Sequence, residues 1–420
     1  MKLNKLAIAC GLAVAAISSQ AMAHGPAVTP DLQVFISGAS AQQNTLGKIV
    51  EGMMTAGTID VYYDTASNGK DYRAYFGTVS GTGTALDGKK VLIHNRAKGG
   101  SFQGVGPVAR AQAITRMAVD AGCSATGAAF PAATYKCTNT VNAIPDAGVS
   151  DVEPAMFRDN NLPAGELALN DTEMARLTVS SQNAVVMGIA VTDNFPLTSL
   201  SRSQITSILS GAYRTWDQVN PTLPAQGITV ERRAPGSGTQ ASANAFFGGN
   251  PCVPAGAIPL AGAADSDPAT GYTVVENGST GNVKSALTAL AVAGKMGIGL
   301  VSLENVPVAG TDKWHHIAID GVAATEQNAW NGKYDYFVEQ TFQYRNAAVG
   351  AVPAPSVLAQ AFLDTFSTRS GDQAVLSGLT GAAALPTLAT PVLDVAGNVT
   401  NGVMKGTKLG NTCQPTQLFY

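Results

Sequence analysis

The chain has 420 residues, with 26 Lys and Arg against 29 Asp and Glu, a formal net charge of −3, and only 13% charged residues. That mild acidity excludes the broad basic surface that nucleic-acid binding needs. The length exceeds what one hydrophobic core ordinarily supports, so two lobes are expected.

At the start of the chain, Lys2 and Lys5 precede a short apolar stretch over residues 6–17, followed by the small-x-small sequence Ala21-Met22-Ala23. This is the pattern of a signal peptide cleaved after Ala23, which directs the chain to the periplasm or out of the cell. The apolar stretch is too short to remain as a membrane span. Cys10 lies inside it rather than at the cleavage point, which argues against a lipid-anchored cysteine. The four later cysteines, Cys123, Cys137, Cys252 and Cys413, form an even set in an oxidising compartment and point to two disulfides. Three pairings are open. Cys123 and Cys137 bracket a Gly/Ala/Pro-rich loop, which favours that pair and leaves Cys252 with Cys413. Zinc would want a C-x-x-C pair, and none is present.

Strand and helix signals then alternate, the signature of an α/β fold with helices flanking mixed sheets. Residues 32–36 read as a strand, and Leu46, Ile49, Val50 and Met53 mark one face of a helix. Residues 91–94 read as a strand leading through "KGGSFQGVG" to a helix opened by Pro107. Residues 121–150 read as an irregular excursion held by a disulfide. Residues 184–191 are continuously apolar, as in a strand buried on both faces. Ser201 and Gln204 form a capping-box pattern before a helix carrying Ile205, Ile208 and Leu209, with Gly211 as its stop. Ser279 or Thr280 caps a further helix carrying Val283 and Leu287, which Gly294 ends before a strand over residues 296–301. Residues 397–402, "GNVTNG", read as a turn.

Three places share one design of strand, glycine/hydroxyl turn and helix start: Ser37-Gly38-Ala39-Ser40, Gly99-Gly100-Ser101 and Gly236-Ser237-Gly238-Thr239. The first amides of a helix have no internal acceptor, and the helix dipole adds partial positive charge there. Glycine lets an anion approach the backbone, and hydroxyls add donors. Arg232 and Arg233, just before the third turn, offer a forked cation suited to an oxyanion. Each turn taken alone is also an ordinary helix cap.

The order of these motifs resembles the periplasmic phosphate-binding proteins, substrate receptors of phosphate ABC transporters with the two-lobed type II periplasmic-binding-protein fold. The resemblance rests on "VVMGIAVTDNFPLTSLSRSQITSILSGAYRTWDQV" at 185–219, "ERRAPGSGT" at 231–239 and "GKMGIGLVS" at 294–302, and more loosely on "FISGASA" at 35–41 and "GVSDVEPAMF" at 148–157. It implies that Arg233, Ser237, Gly238 and Thr239 contact the anion from one lobe. From the other it implies Asp151, Ser101, Gly38, Ala39 and the residues that follow, Ser40 and Gln42. Asp151 would act as selector, because a hydrogenphosphate can donate to a carboxylate and sulfate cannot. The chain departs from the family at Gln42-Gln43, where Thr-Phe is usual, and at Pro235, where an Asp usually orients the arginine.

The expectation is therefore a monomeric, non-enzymatic solute-binding protein without cofactor, with residues 24–182 and 319–420 as one lobe and 183–318 as the other. Its partners would be a small oxyanion, phosphate first, and an inner-membrane ABC permease. The alternatives are a secreted or surface protein using the fold for another anion or without transport, and a serine hydrolase built on Ser40 with His315 or His316. The hydrolase reading lacks the closing glycine of a nucleophile elbow, since Gln42 stands there. Asp265, Asp267 and Glu276 approximate a calcium-loop spacing, but Thr270 stands where such a loop needs glycine.

Overall fold

A computed structural model describes residues 24–253, 255–386 and 402–419, with the side chains of Gln42 and Gln182 also outside the described set. The expected signal peptide and most of the expected 397–402 turn lie outside the described residues.

The strands expected over 32–36, 91–94, 184–191 and 296–301 are present, joined by others that the sequence reading did not place. They are β1 (Leu32–Gly38), β2 (Asp60–Asp64), β3 (Tyr72–Thr78), β4 (Lys90–Arg96), β5 (Cys123–Ala125), β6 (Tyr135–Cys137), β7 (Ala147–Ser150), β8 (Leu177–Thr192), β9 (Thr229–Arg233), β10 (Thr273–Asn277), β11 (Gly297–Ser302), β12 (Trp314–Ile319) and β13 (Phe337–Arg345). Hydrogen-bonded neighbours run β10-β9-β11-β8-β13-β7-β1-β4-β3-β2-β6-β5. Buried β1 runs parallel to both β4 and β7, as expected of near-continuous apolar strands covered on both faces.

The long strand β8 is the spine. Residues 177–186 pair antiparallel with β13, from Leu177 opposite Arg345 to Val186 opposite Phe337. Met187 to Val191 then pair with β11, and Ile189 to Thr192 also with β12. The strand expected over 184–191 thus extends back to Leu177, with a register irregularity between Ser181 and Asn183.

Two large cores flank this spine and define two lobes. One gathers Val34, Ile36, Ile49, Val50, Val91, Ile93, Val149, Phe342 and Phe362. The other gathers Val185, Ile189, Ile205, Ile208, Trp216, Val230, Ile298 and Ile317, joined by Ala383 and Met404 from later in the chain. Helices cover both: α1 (Gln43–Met53) buries Leu46, Ile49, Val50 and Met53 as its spacing predicts. The helix α2 (Arg202–Leu209) starts at the Ser201/Gln204 capping box. The remaining long helices are α3 (Gly238–Gly248), α4 (Thr280–Val292) and α5 (Val357–Ser370). Pro107 does open a helix, but one of only four residues, Gly106–Ala109.

Residues 121–150 correct the sequence reading, because they are not irregular. β5 and β6 pair antiparallel, β6 pairs parallel to β2, Ile114–Met117 pairs with Thr140–Ala143, and β7 enters the sheet. Cys123–Cys137 bridges facing residues of β5 and β6, and Cys252–Cys413 joins points 161 residues apart. A smaller apolar cluster of Phe102, Val152, Met156 and Phe157 packs on Ala241 of α3 and so links the two lobes. Beside it Phe102 N donates to Gly236 O at 2.9 Å and Gly236 N to Asn161 O at 3.0 Å.

Candidate anion-binding site

The site is assembled where β9 ends. This strand is wholly buried between β10 and β11, so Arg233 at its end is carried into the interior and is only 2% exposed. The chain turns at Gly236, and Ser237 caps α3 by accepting from Gln240 N at 3.4 Å. Gly238 and Thr239 therefore present the first amides of an eleven-residue helix, which lack intrahelical acceptors.

Arg233 is held although Pro235 replaces the expected aspartate. Its Nε donates to Asn277 O at 3.3 Å, Nη1 to Thr280 Oγ1 at 2.9 Å and Nη2 to Gly278 O at 3.2 Å. Its backbone N–H is fixed by Gln240 Oε1 at 3.1 Å. Two carbonyls and one hydroxyl thus do the orienting, and two of the five guanidinium N–H groups remain for a ligand. Burial lowers the Arg233 pKa to about 10, with Asp151 opposing, so the group stays cationic at neutral pH.

Asp151 follows β7 and is 2% exposed. Its Oδ2 accepts from Thr239 Oγ1 at 3.1 Å and its Oδ1 from Gln340 Nε2 at 3.5 Å, while its N–H donates to Ser101 Oγ at 3.3 Å. Burial pushes its carboxyl above the usual range; Arg233, Thr239, Gln340 and Ser101 pull the other way. A Cβ on Gly238 would lie 2.5 Å from Ser101 Oγ and 2.8 Å from the Asp151 Cβ. Only glycine lets the start of α3 come this close.

Ser101, Asp151, Gly238 and Thr239 are thus in direct contact, with Arg233 acting on Asp151 through its charge. The first turn contributes less. The Ala39 N–H is spent on Val149 O at 2.9 Å, and Gly38 lies against the same carbonyl. Ser40 starts a 3-10 turn before α1, and its buried Oγ has no partner among the described residues. Such a hydroxyl calls for a ligand or water. Ser40 and Thr280 share the wall of one cavity, and Thr280 carries it to Arg233.

Sequence reasoning missed Thr280, Asn277, Gln240, Gln340 and Glu304. A signal was available for the first: Ser279-Thr280-Gly281 repeats the hydroxyl/glycine helix start of the other three turns, and Ser279 caps α4. Glu304 lines the same cavity. Burial, helped by Asp151, raises its carboxyl from 4.5 to about 8, against the pull of Lys284, Ser302 and Arg73. Between those two values the folded chain keeps a proton that the unfolded chain has lost, so this group lowers stability as pH rises through that window. Glu304→Gln is expected to flatten the decline in denaturant midpoint between about pH 5 and about pH 8. Parallel wild-type and variant profiles would refute that protonation.

The residues of the other sequence readings have structural partners. His315 and His316 lie in β12 paired to β8; His316 Nε2 meets Val301 O at 3.0 Å, and burial lowers its pKa to about 4. Asp265 Oδ2 accepts from Gly262 N at 2.8 Å, and Asp267 Oδ2 from Arg214 Nη1 at 2.5 Å.

Among known families, the model of the PBP superfamily domain matches residues 183–369. Among solved structures the chain is similar to an ABC-type phosphate transport receptor from Vibrio cholerae, at 14% identity and a TM-score of 0.45 over 83% of this chain and 99% of that one. It is also similar to a phosphate-binding protein from Stenotrophomonas maltophilia, at 13% identity and 0.44 over 76% and 80%. A DING protein aligns at 14% identity and 0.46 over 83% and 90%. No curated protein sequence matches.

Proposed function

We propose that the chain is an exported, non-enzymatic solute-binding protein that holds a tetrahedral oxyanion, inorganic phosphate first, for uptake through an ABC permease. The anion sits between one lobe built mainly from residues 24–182 and 319–420 and another built from residues 183–318, into whose core Ala383 and Met404 also pack. The reading rests on one arrangement: a buried carboxyl, Asp151, faces the start of α3 beside a buried guanidinium with two uncommitted N–H groups. Arg233 and the α3 amides would hold the anion, and Ser40, Ser101 and Ser237 would add hydroxyl donors, the Thr239 hydroxyl being spent on Asp151. The PBP superfamily domain and the phosphate-binding names of the similar structures fit this reading. A carboxylate inside an anion site makes chemical sense if the ligand carries a proton. Hydrogenphosphate can donate to Asp151, whereas sulfate would leave two acceptors face to face, at a cost of about 1–3 kcal/mol.

The test is thermal unfolding of the mature protein with phosphate, arsenate and sulfate. A ligand at about a hundred times its dissociation constant adds roughly 2.7 kcal/mol of stability. Phosphate and arsenate are expected to protect and sulfate to fail. Asp151→Asn should narrow that gap by admitting sulfate. No protection by any of the three would remove the reading; undiminished discrimination in the variant would remove the selector role.

A further inference from the structure

The cavity shared by Ser40 and Thr280 lies beside Arg233, which it meets through Thr280. It measures about 200 Å³ and is also lined by Lys70, Arg73, Lys284 and Glu304. None of these three cations is in an ion pair among the described residues. Arg73 Nε donates to Gly69 O at 2.8 Å and the guanidinium lies 4.8 Å from the centre of the Tyr63 ring. Lys284 Nζ donates to Asn305 Oδ1 at 2.7 Å, which leaves two of its three N–H groups. The one acid in the wall, Glu304, has its pKa pushed up to about 8 by burial, and burial also lowers that of Lys284 against the pull of Asp312 and Glu304. Inorganic phosphate, one small ion, would be fully met by Arg233, Asp151 and the start of α3. A cationic chamber beside it is more than that ion requires.

We propose that Lys70, Arg73 and Lys284 form a second anionic subsite, so that the chain takes a compact phosphate bearing a second anionic group, such as a diphosphate or a phosphorylated carboxylate. This deepens the phosphate reading and rests on it. The first anionic group occupies the Arg233 site, and the second reaches past Ser40 and Thr280 to the cations. The volume lies below the roughly 300–1,000 Å³ of pockets for drug-sized ligands, which excludes a bulky substituent. Complementary charge in a half-enclosed chamber discriminates by both affinity and salt dependence.

Calorimetric titration of the mature protein against phosphate, methyl phosphate, pyrophosphate and phosphoglycolate tests the assignment. Pyrophosphate or phosphoglycolate is expected to bind about tenfold tighter than methyl phosphate, and the advantage should shrink at high salt. The double variant Lys70→Met/Lys284→Met should lose about tenfold for that ligand and stay within about threefold for phosphate. These two side chains lie at the cavity wall outside the anion site, so the phosphate arm also reports correct folding. Phosphate binding without any gain from the second anionic group would overturn the subsite and leave the phosphate reading standing. An equal loss for phosphate in the double variant would overturn it too. Binding of none of the four would remove both.

Discussion

On the proposed reading, phosphate is expected not to raise the unfolding temperature of Arg233→Ala at concentrations that protect the parent chain. The substitution removes both uncommitted N–H groups, each worth about 1.5–3 kcal/mol toward a charged acceptor. It also strips Asp151 of the cation that opposes its upward pKa shift, so the ligand-free protein is destabilised as well. Removing one member of a buried charge pair costs about 3–5 kcal/mol. Here the figure is an upper bound, because the two groups are not in direct contact and Asp151 can take up a proton. Arg233→Lys separates charge from shape: a lysine keeps the cation but lacks the fork that reaches Asn277, Gly278 and Thr280 together. It should retain part of the stability and little of the affinity. Unchanged phosphate affinity in Arg233→Ala would show that the guanidinium serves structure alone.

Gly38→Ala is expected to destabilise the chain by at least about 3 kcal/mol, read as a fall in denaturant midpoint at constant slope. Gly38 has φ of +132°, a region that side-chain-bearing residues rarely adopt. A Cβ there would stand 1.9 Å from Val149 O, the acceptor for Ala39 N–H. Relief of that clash requires β1 and β7 to part at the point where β7 leads into Asp151. The loss of stability should therefore come with weakened anion binding. A cost below about 0.5 kcal/mol, the level of an ordinary surface change, would show that the turn relaxes freely.

Elements with a clean period were legible before any coordinates. The stripe Leu46, Ile49, Val50 and Met53 and the Ser201/Gln204 capping box stand where spacing put them, because a helix face and its cap are local chemistry. The first half of β8, "LTVSSQ", was not legible, since its polar residues mask a strand that β13 stabilises from more than 150 residues away. Residues 121–150 misled for a similar reason. Their Gly, Ala and Pro content argues for a loop, while cross-strand partners at β2 and Ile114–Met117 make strands of them. The local motif at Arg233 and Ser237 to Thr239 was readable, and the partners at 277–280 that aim the guanidinium were not. The meeting of Lys70, Arg73 and Lys284 is likewise a product of tertiary folding, with no trace in spacing.

The shared spine bears on how the molecule comes apart. Val186 belongs to one sheet register and Met187 to the next, with no loop between them, so neither lobe owns a complete set of strands. Melting either lobe would expose an edge of the other, while the Cys252–Cys413 bridge and the Thr412 contacts to Glu153 tie the later chain across both. The two halves are accordingly expected to unfold as one cooperative unit, with calorimetric and van't Hoff enthalpies in agreement; two separate transitions would refute this.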